Sequence, residues 1–319
     1  METRKKPRVA IVSPCYNEEA ALPHTLKAFN EVMTQWKTQG LIAETSYIFL
    51  VDDGCKDKTW DIIEKAHQEN PFQVKGLKLA QNVGHQNALF AGLKAVKDNC
   101  DCAISIDADL QDDVNTIAEM VREYIAGKDL VFGVRKSRTT DTFFKKWSAQ
   151  FFYVLMEKLG AKVIYNHADY RLMSKKTIQH FCEFEEHYLF LRGLALLTTK
   201  NYSLVYYDRH ERVAGESKYP LKKMLAFAWN GITSFSTKPL QFIALLGLVV
   251  SMLSLMMGAY SLYRHFTGET ITGWTSIFIS IYFLGGVQLL SLGVIGQYVG
   301  KLYLESKKRP HYFEDIHLK

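Results

Sequence analysis

Apolar and polar positions fall into two regimes along the chain. From residue 8 to about 135, short runs rich in β-branched residues alternate with amphipathic stretches. The runs Arg8–Ser13, Ser46–Asp52, Val74–Leu79, Ala103–Asp107 and Leu130–Val134 predict strands. Between them, apolar positions recur at helical spacing over Ala21–Lys37, Thr59–Asn70, Gln86–Lys97 and Val114–Ala126. Such alternation builds βαβ units, hence an α/β domain with a mostly parallel sheet covered on both faces. Ligands of such sheets bind beyond the carboxyl ends of the strands, so the polar residues after each strand carry the chemical information.

The pattern then changes. Phe143–Leu159 predicts an aromatic-rich helix and Ser203–His210 a strand. Pro220–Ser236 offers Leu221, Leu225, Phe227, Ala228 and Ile232 on an amphipathic helix, which fits a membrane surface and a core-facing helix equally well. Leu240–Tyr263 contains no charged residue. At about 1.5 Å per residue this run reaches roughly 36 Å, enough to cross a bilayer with some tilt. Ile277–Val299 is a second uncharged run, and its Gly285, Gly286, Gly293 and Gly296 permit close helix contact. Lys222, Lys223 and Lys238 precede the first run, and Lys301, Lys307, Lys308 and Arg309 follow the second. The short connection holds Arg264 and Glu269. This asymmetry predicts both outer flanks in the cytoplasm and the connecting loop outside. The expected organisation is a catalytic domain over 1–219, an amphipathic juxtamembrane segment over 220–238, two transmembrane helices over 239–300 and a cytoplasmic basic tail over 301–319.

Composition trims the alternatives. The 319 residues carry a formal net charge of +6, a mild excess that suits phosphate substrates and anionic lipid. No zinc-finger spacing or RNA-binding signature accompanies it, which argues against nucleic acid. The five cysteines are odd in number and form no CxxC, so reduced thiols are expected and not a disulfide framework or a zinc site. The basic start, Met1 to Arg8, precedes an apolar run too short for a signal peptide; Pro14 and Asn17-Glu18-Glu19 interrupt it.

The main chemical cluster is Asp107-Ala-Asp109-Leu-Gln111-Asp-Asp113, directly after a predicted strand. Hard carboxylate oxygens in that position suit Mg²⁺ or Mn²⁺, which neutralise a diphosphate. Asp52-Asp53-Gly54 repeats the arrangement after another strand, where a carboxylate either accepts hydrogen bonds from a base or ribose or only forms a turn. The segment Ser13-Pro-Cys-Tyr-Asn17-Glu18-Glu19 follows the first strand. Neither G-x-G-x-x-G nor a P-loop occurs, which removes support for dinucleotide oxidoreductases and P-loop enzymes.

The order Pro14-x-Tyr16-Asn17-Glu18, Asp52-Asp53-Gly54, Asn82-x-Gly84 and Asp107-x-Asp109-x-Gln111 resembles glycosyltransferase family 2, with its GT-A nucleotide-sugar fold. Ala168-Asp169-Tyr170-Arg171-Leu172, the loop Arg212-x-x-Gly215-x-Ser217-Lys218-Tyr219 and the two apolar runs narrow the resemblance to the polyprenyl-phosphate, or bactoprenol, glycosyltransferase subgroup. Dolichol-phosphate mannose synthases are similar. The resemblance covers nearly the whole chain. It implies that Pro14, Tyr16, Glu18 and Asp53 hold the uridine, with Asn82 beside them. It implies that Asp107, Asp109 and Gln111 hold the metal and diphosphate. Arg135 and Arg138 would meet the lipid phosphate, with Arg171 and Ser217 near the acceptor. Asp109, Asp169, Arg212 and Lys218 would serve catalysis, the last two on a loop closing over the phosphates. Cys55 stands where Ser is usual, and Gln86 where Glu is common.

The implied reaction is inverting transfer of a hexose, glucose first and N-acetylglucosamine second, from a UDP-sugar to polyprenyl phosphate at the cytoplasmic membrane face. Membrane lipids are expected partners, and a homo-oligomer is compatible with the sequence. Two rivals differ in class. A processive polysaccharide synthase needs a Gln-x-x-Arg-Trp motif and more spans; a noncatalytic nucleotide-sugar scaffold needs none of the intact acidic and basic motifs.

Overall fold

The computed structural model describes residues 6–136, 164, 167–186, 189, 191–209, 237–267 and 273–319. They fall into two compact units, one built on a sheet and one helical, and residues 310–319 belong to the sheet unit. The expected helices Phe143–Leu159 and Pro220–Ser236 lie outside the described residues.

The sheet has eight strands: β1 (Val9–Cys15), β2 (Tyr47–Asp52), β3 (Val74–Leu79), β4 (Cys102–Ser105), β5 (Leu130–Arg135), β6 (His167–Ser174), β7 (Tyr202–Tyr207) and β8 (Glu314–Leu318). Their order is β7-β5-β6-β4-β1-β2-β3-β8. β4, β1, β2 and β3 form the parallel heart, and β5 and β7 are parallel to each other. β6 is antiparallel to both β4 and β5, and β8 is antiparallel to β3. Every residue of β1 and β2 is buried, as an unbroken apolar run requires when helices cover both faces. The topology turns outward on either side of β1. The crevice between the ends of β1 and β4 is therefore where an open α/β sheet binds its ligand.

Four helices follow strands of the heart: α1 (Leu22–Thr38), α2 (Thr59–Glu69), α3 (His85–Val96) and α4 (Thr116–Ile125). α1 buries Leu22, Leu26, Phe29, Val32, Met33 and Trp36, a helical stripe, and starts with proline in its first turn, where a missing N–H costs nothing. These helices match the sequence pattern closely. The structure adds four elements that the pattern does not announce: β6, α5 (Lys175–Cys182), α6 (Leu191–Thr198) and β8, which lies in the expected basic tail. β4 is also shorter than predicted. Ile106 N still donates to Val12 O at 3.1 Å, and the chain then turns away at Asp107.

The helical unit contains α7 (Lys238–Phe266) and α8 (Trp274–Ser306), each with a span long and apolar enough to cross a membrane. No part of the apolar spans is buried by protein. Side chains such as Leu248, Leu255, Leu289 and Leu292 stand open, a surface that a water-soluble hairpin would cover.

Candidate active site

Three strand exits meet at the carboxyl edge of the sheet. At the first, residues 16–19 are sewn to the loop after β2. Asn17 N donates to Cys55 Sγ (3.2 Å), Lys56 N donates to Asn17 Oδ1 (2.9 Å) and Glu18 N donates to Thr59 Oγ1 (2.9 Å). Cys55 thus does the hydrogen-bonding work of a hydroxyl, and also donates to Cys15 O at 3.4 Å. Burial pushes the Cys55 thiol up to about 12, so it stays protonated. Tyr16 stands on this loop with 46% of its surface exposed, available to a ligand.

At the second exit Asp53 is held by the turn before α3. Val83 N (2.7 Å) and Gly84 N (3.0 Å) donate to its two oxygens, and Asn82 Nδ2 adds a third bond at 3.1 Å. Burial raises its pKa although the two backbone donors oppose it. Gly54 has φ +63°, and a Cβ there would come within 2.4 Å of Asn82 N. Only glycine lets the two turns close on each other. Pro14 is the penultimate residue of β1, and Tyr16, Glu18, Asp53 and Asn82 lie in three interlocked turns after β1, β2 and β3.

The third exit carries the acidic cluster. Thr25 Oγ1 of α1 donates to Ala108 O (2.6 Å), and Gln111 N donates to Asp109 Oδ1 (3.1 Å). Leu110, between them, takes φ 54°, a costly backbone for a branched side chain and one that aims Asp109 and Gln111. Asp107 keeps 41% of its side-chain surface open, and His85 Nε2 of α3 lies 3.5 Å from its Oδ1. Burial among protein atoms pushes the Asp107 carboxyl above the ordinary range. Asp112, Asp109 and Asp169 push the same way, and His85 opposes them. Four carboxylates, Asp107, Asp109, Asp112 and Asp169, thus crowd the exit of β4.

β6 delivers Asp169 beside that cluster, because Ser105 of β4 pairs with Arg171 and its Oγ donates to Asp169 O at 2.5 Å. Asp169 is held differently from Asp107. Arg171 Nη2 meets its Oδ1 at 2.8 Å; Arg192 of α6 grips Oδ2 through Nη2 (3.1 Å) and Nε (3.2 Å). Burial alone would raise this carboxyl, but the two guanidiniums, Arg192 foremost, hold it well below the usual range. Arg171 is fully buried and spends Nη1 on Leu191 O at 2.7 Å. Gln86 fits the same design, since its Oε1 accepts from Leu191 N at 3.4 Å without adding another negative charge.

Arg135 sits elsewhere in the network. Its Nη2 pairs with buried Asp112 at 3.0 Å and its Nε donates to Tyr207 OH at 3.2 Å, while Tyr207 OH donates to Asp112 at 2.6 Å. Its guanidinium thus braces the acidic loop. Arg209, just past β7, donates to Gln111 Oε1 and puts a further cation next to Asp109. The sequence reading did not single out Arg192 or Arg209, and it left His85 without a role. An arginine in the first turn of a wholly apolar helix was the available signal for Arg192. Arg138, Arg212, Ser217 and Lys218 lie outside the described residues.

The donor set can be tested against a divalent cation. Among the described residues no three His, Cys, Asp or Glu side chains converge on one metal position. Asp107 and Asp109 offer two carboxylates, the first of them partly open to solvent. That suits an ion which takes its other ligands from water and substrate phosphates, as Mg²⁺ and Mn²⁺ do. Gln111 Oε1, already bonded to Arg209, is committed to that cation.

Residues 10–182 match the model of glycosyl transferase family 2. Over 315 residues the chain is 50% identical to an uncharacterized glycosyltransferase, YkoT, of Bacillus subtilis (strain 168), covering 99% of this chain and 93% of that one. It is 38% identical over 307 residues to the bactoprenol glucosyl transferase of Shigella phage SfV, covering 96% and 97%. It is 36% identical over 310 residues to the prophage bactoprenol glucosyl transferase homolog of Escherichia coli (strain K12), covering 96% and 97%. Coverage of this extent takes in the sheet, the acidic loop and both apolar helices, so the chain belongs to glycosyl transferase family 2.

Proposed function

We propose that the chain is a membrane-anchored polyprenyl-phosphate glycosyltransferase that moves glucose from UDP-glucose to the phosphate of a polyprenyl carrier, inverting the sugar carbon. One observation carries this reading: the carboxylates Asp107 and Asp109 stand together just past the β4 exit of a chain similar end to end to bactoprenol glucosyl transferases. Pro14, Tyr16, Glu18 and the Asp53–Asn82 clasp form the nucleoside end. Asp107 and Asp109 hold a divalent cation, Mg²⁺ or Mn²⁺, whose chemistry is to neutralise the donor diphosphate. Arg209, with Arg212 and Lys218, adds positive charge where the leaving group develops.

The acceptor needs no strong base. A phosphate monoester has a second pKa of about 6 and is mostly dianionic at neutral pH. Asp169, held ionised and occupied by Arg171 and Arg192, is a poor proton acceptor. Its role in this reading is to orient Arg192 toward the sugar and acceptor, while Arg171, expected at the acceptor, is fully buried and serves only as its internal counter-charge. Arg135, Arg138 and Ser217 serve the lipid phosphate, Arg135 through the loop it braces.

α7 and α8 serve as a two-span anchor. Two crossings return the chain to the side from which it left, and residues 310–319 rejoin the sheet unit. With the basic flanks, this favours a cytoplasmic catalytic domain. The test is a panel of UDP-sugars offered to purified full-length enzyme with undecaprenyl phosphate. The reading expects glucose to be transferred best. Preferred transfer of N-acetylglucosamine would replace the sugar and keep the class; donor binding without transfer of any sugar would favour a scaffold.

A further inference from the structure

β8 reaches the sheet only after the chain has passed through both apolar helices. It pairs Leu318 with Gly76, His317 with Leu77, Ile316 with Lys78 and Glu314 with Leu79. One step further, Ala80 N donates to Phe313 O at 3.0 Å. Because β8 is antiparallel to β3, residues 310–313 lie beside the carboxyl end of β3, where the turn 80–84 begins.

The C-terminal segment grips the elements on both sides of that turn. On the β3 side, Leu318 packs against the core, and the His317 ring meets the edge of buried Phe49 at 5.9 Å. Gly76 is needed by the packing of α2, since a Cβ there would stand 2.8 Å from Ile63 Cγ2, while Leu318 Cδ1 of β8 would lie at an ordinary contact of 3.4 Å. On the α3 side, the His311 ring lies 5.6 Å from Phe90, which in turn packs on Phe181 at 6.1 Å. Between these two grips sits the turn whose Asn82, Val83 and Gly84 donors clasp Asp53, and whose backbone lies against Gly54.

We propose that β8 is a positioning strand for the donor site: by fixing β3 and α3 it sets the 80–84 turn, and so makes tight nucleotide binding conditional on a chain completed through both apolar helices. Without β8, β3 becomes an edge strand with unpaired donors and acceptors, and the turn loses the support that preorganises it. No group of β8 faces the acidic loop, so the chemical step itself is spared. The proposal rests on the reading of the Asp53 loops as the nucleoside end.

The test compares the full chain with one ending at Phe313, in the same detergent, by UDP calorimetry and by donor and acceptor kinetics. UDP affinity and donor KM are expected to weaken about tenfold, with acceptor KM and kcat at saturating donor within about twofold. A synthetic peptide of residues 314–319 should restore affinity. Equal UDP affinity in the two chains overturns the proposal. So does a fall in kcat that tracks lost folded protein with donor KM unchanged, because β8 would then be only structural. If the full chain does not bind UDP, the nucleoside reading falls and takes the proposal with it. Should the shortened chain not fold, the full-length H311A/H317A variant is expected to weaken UDP about threefold, and an unchanged affinity there overturns the proposal equally.

Discussion

Two aspartates at neighbouring strand ends carry opposite electrostatics. Asp107, just past β4, is crowded by protein atoms and other carboxylates, which push its pKa up against the pull of His85. Asp169, one strand over on β6, is clasped by Arg171 and Arg192, and its pKa is pulled down. The same side chain is thus unfinished in one place and finished in the other. A carboxylate crowded by others of its kind is built to receive a cation. One that already has two guanidiniums is built to hold them.

The contrast breaks most readily at Asp169. Replacing it with Asn leaves buried Arg171 without its anion, and thermal unfolding in detergent should report a loss of about 3–5 kcal/mol. Asp107→Asn removes a charge from a side chain that is 41% open to solvent and screened by it, so the same measurement should show little or no loss. If both variants lose stability alike, the two sites do not differ as argued. Catalysis should sort them the other way. Asp109→Ala is expected to cut transfer about a hundred- to thousandfold while its unfolding stays near wild type.

Acid sharpens the comparison. Burial, aided by Arg192 and Arg171, lowers His167 to about 4, so the folded state holds it neutral while the unfolded chain protonates it near its ordinary value of about 6.5. Its share of stability, about 2–3 kcal/mol, is therefore present above pH 6.5 and drains as pH falls toward 4. Asp169 loses its share in the same direction but in a lower window: it is present above its unfolded value of about 3.9 and goes only in stronger acid. Unfolding measured from pH 7 to 4 should slope downward in the wild type and more gently in His167→Gln; equal slopes would contradict the assignment. Rate profiles from pH 5 to 8 should show no limb belonging to Asp169. The smallest effect concerns the cation. Mn²⁺ with UDP should raise wild-type stability by about 1–2 kcal/mol and should do so far less in Asp107→Asn.

The parallel heart of the fold was legible because fully buried strands and one-sided helices leave clean periods in the sequence. β6 was not, since its Asp169 and Arg171 break the apolar alternation of a strand; the partner of Asp169, Arg192, lies on a helix 23 residues further along the chain. β8 was read as part of a basic tail. Glu314-Asp-Ile-His-Leu has little strand character of its own, and its pairing with β3 spans more than 230 residues. Asp107 and Asp109 were legible from their place after a strand. Their crowding with other carboxylates was not, because it depends on Asp112 and Asp169 being brought close while the arginines are drawn to other partners. Arg209 carries no motif of its own, and only its place just past β7 brings it against Gln111.

The most direct test follows labelled glucose from UDP-glucose into organic-extractable lipid, with full-length enzyme, undecaprenyl phosphate and Mn²⁺ or Mg²⁺. The account predicts metal-dependent transfer by the wild type, lost on chelation and nearly absent in Asp109→Ala. Label that never enters the lipid fraction, or that enters it equally well with Asp109→Ala, would contradict it.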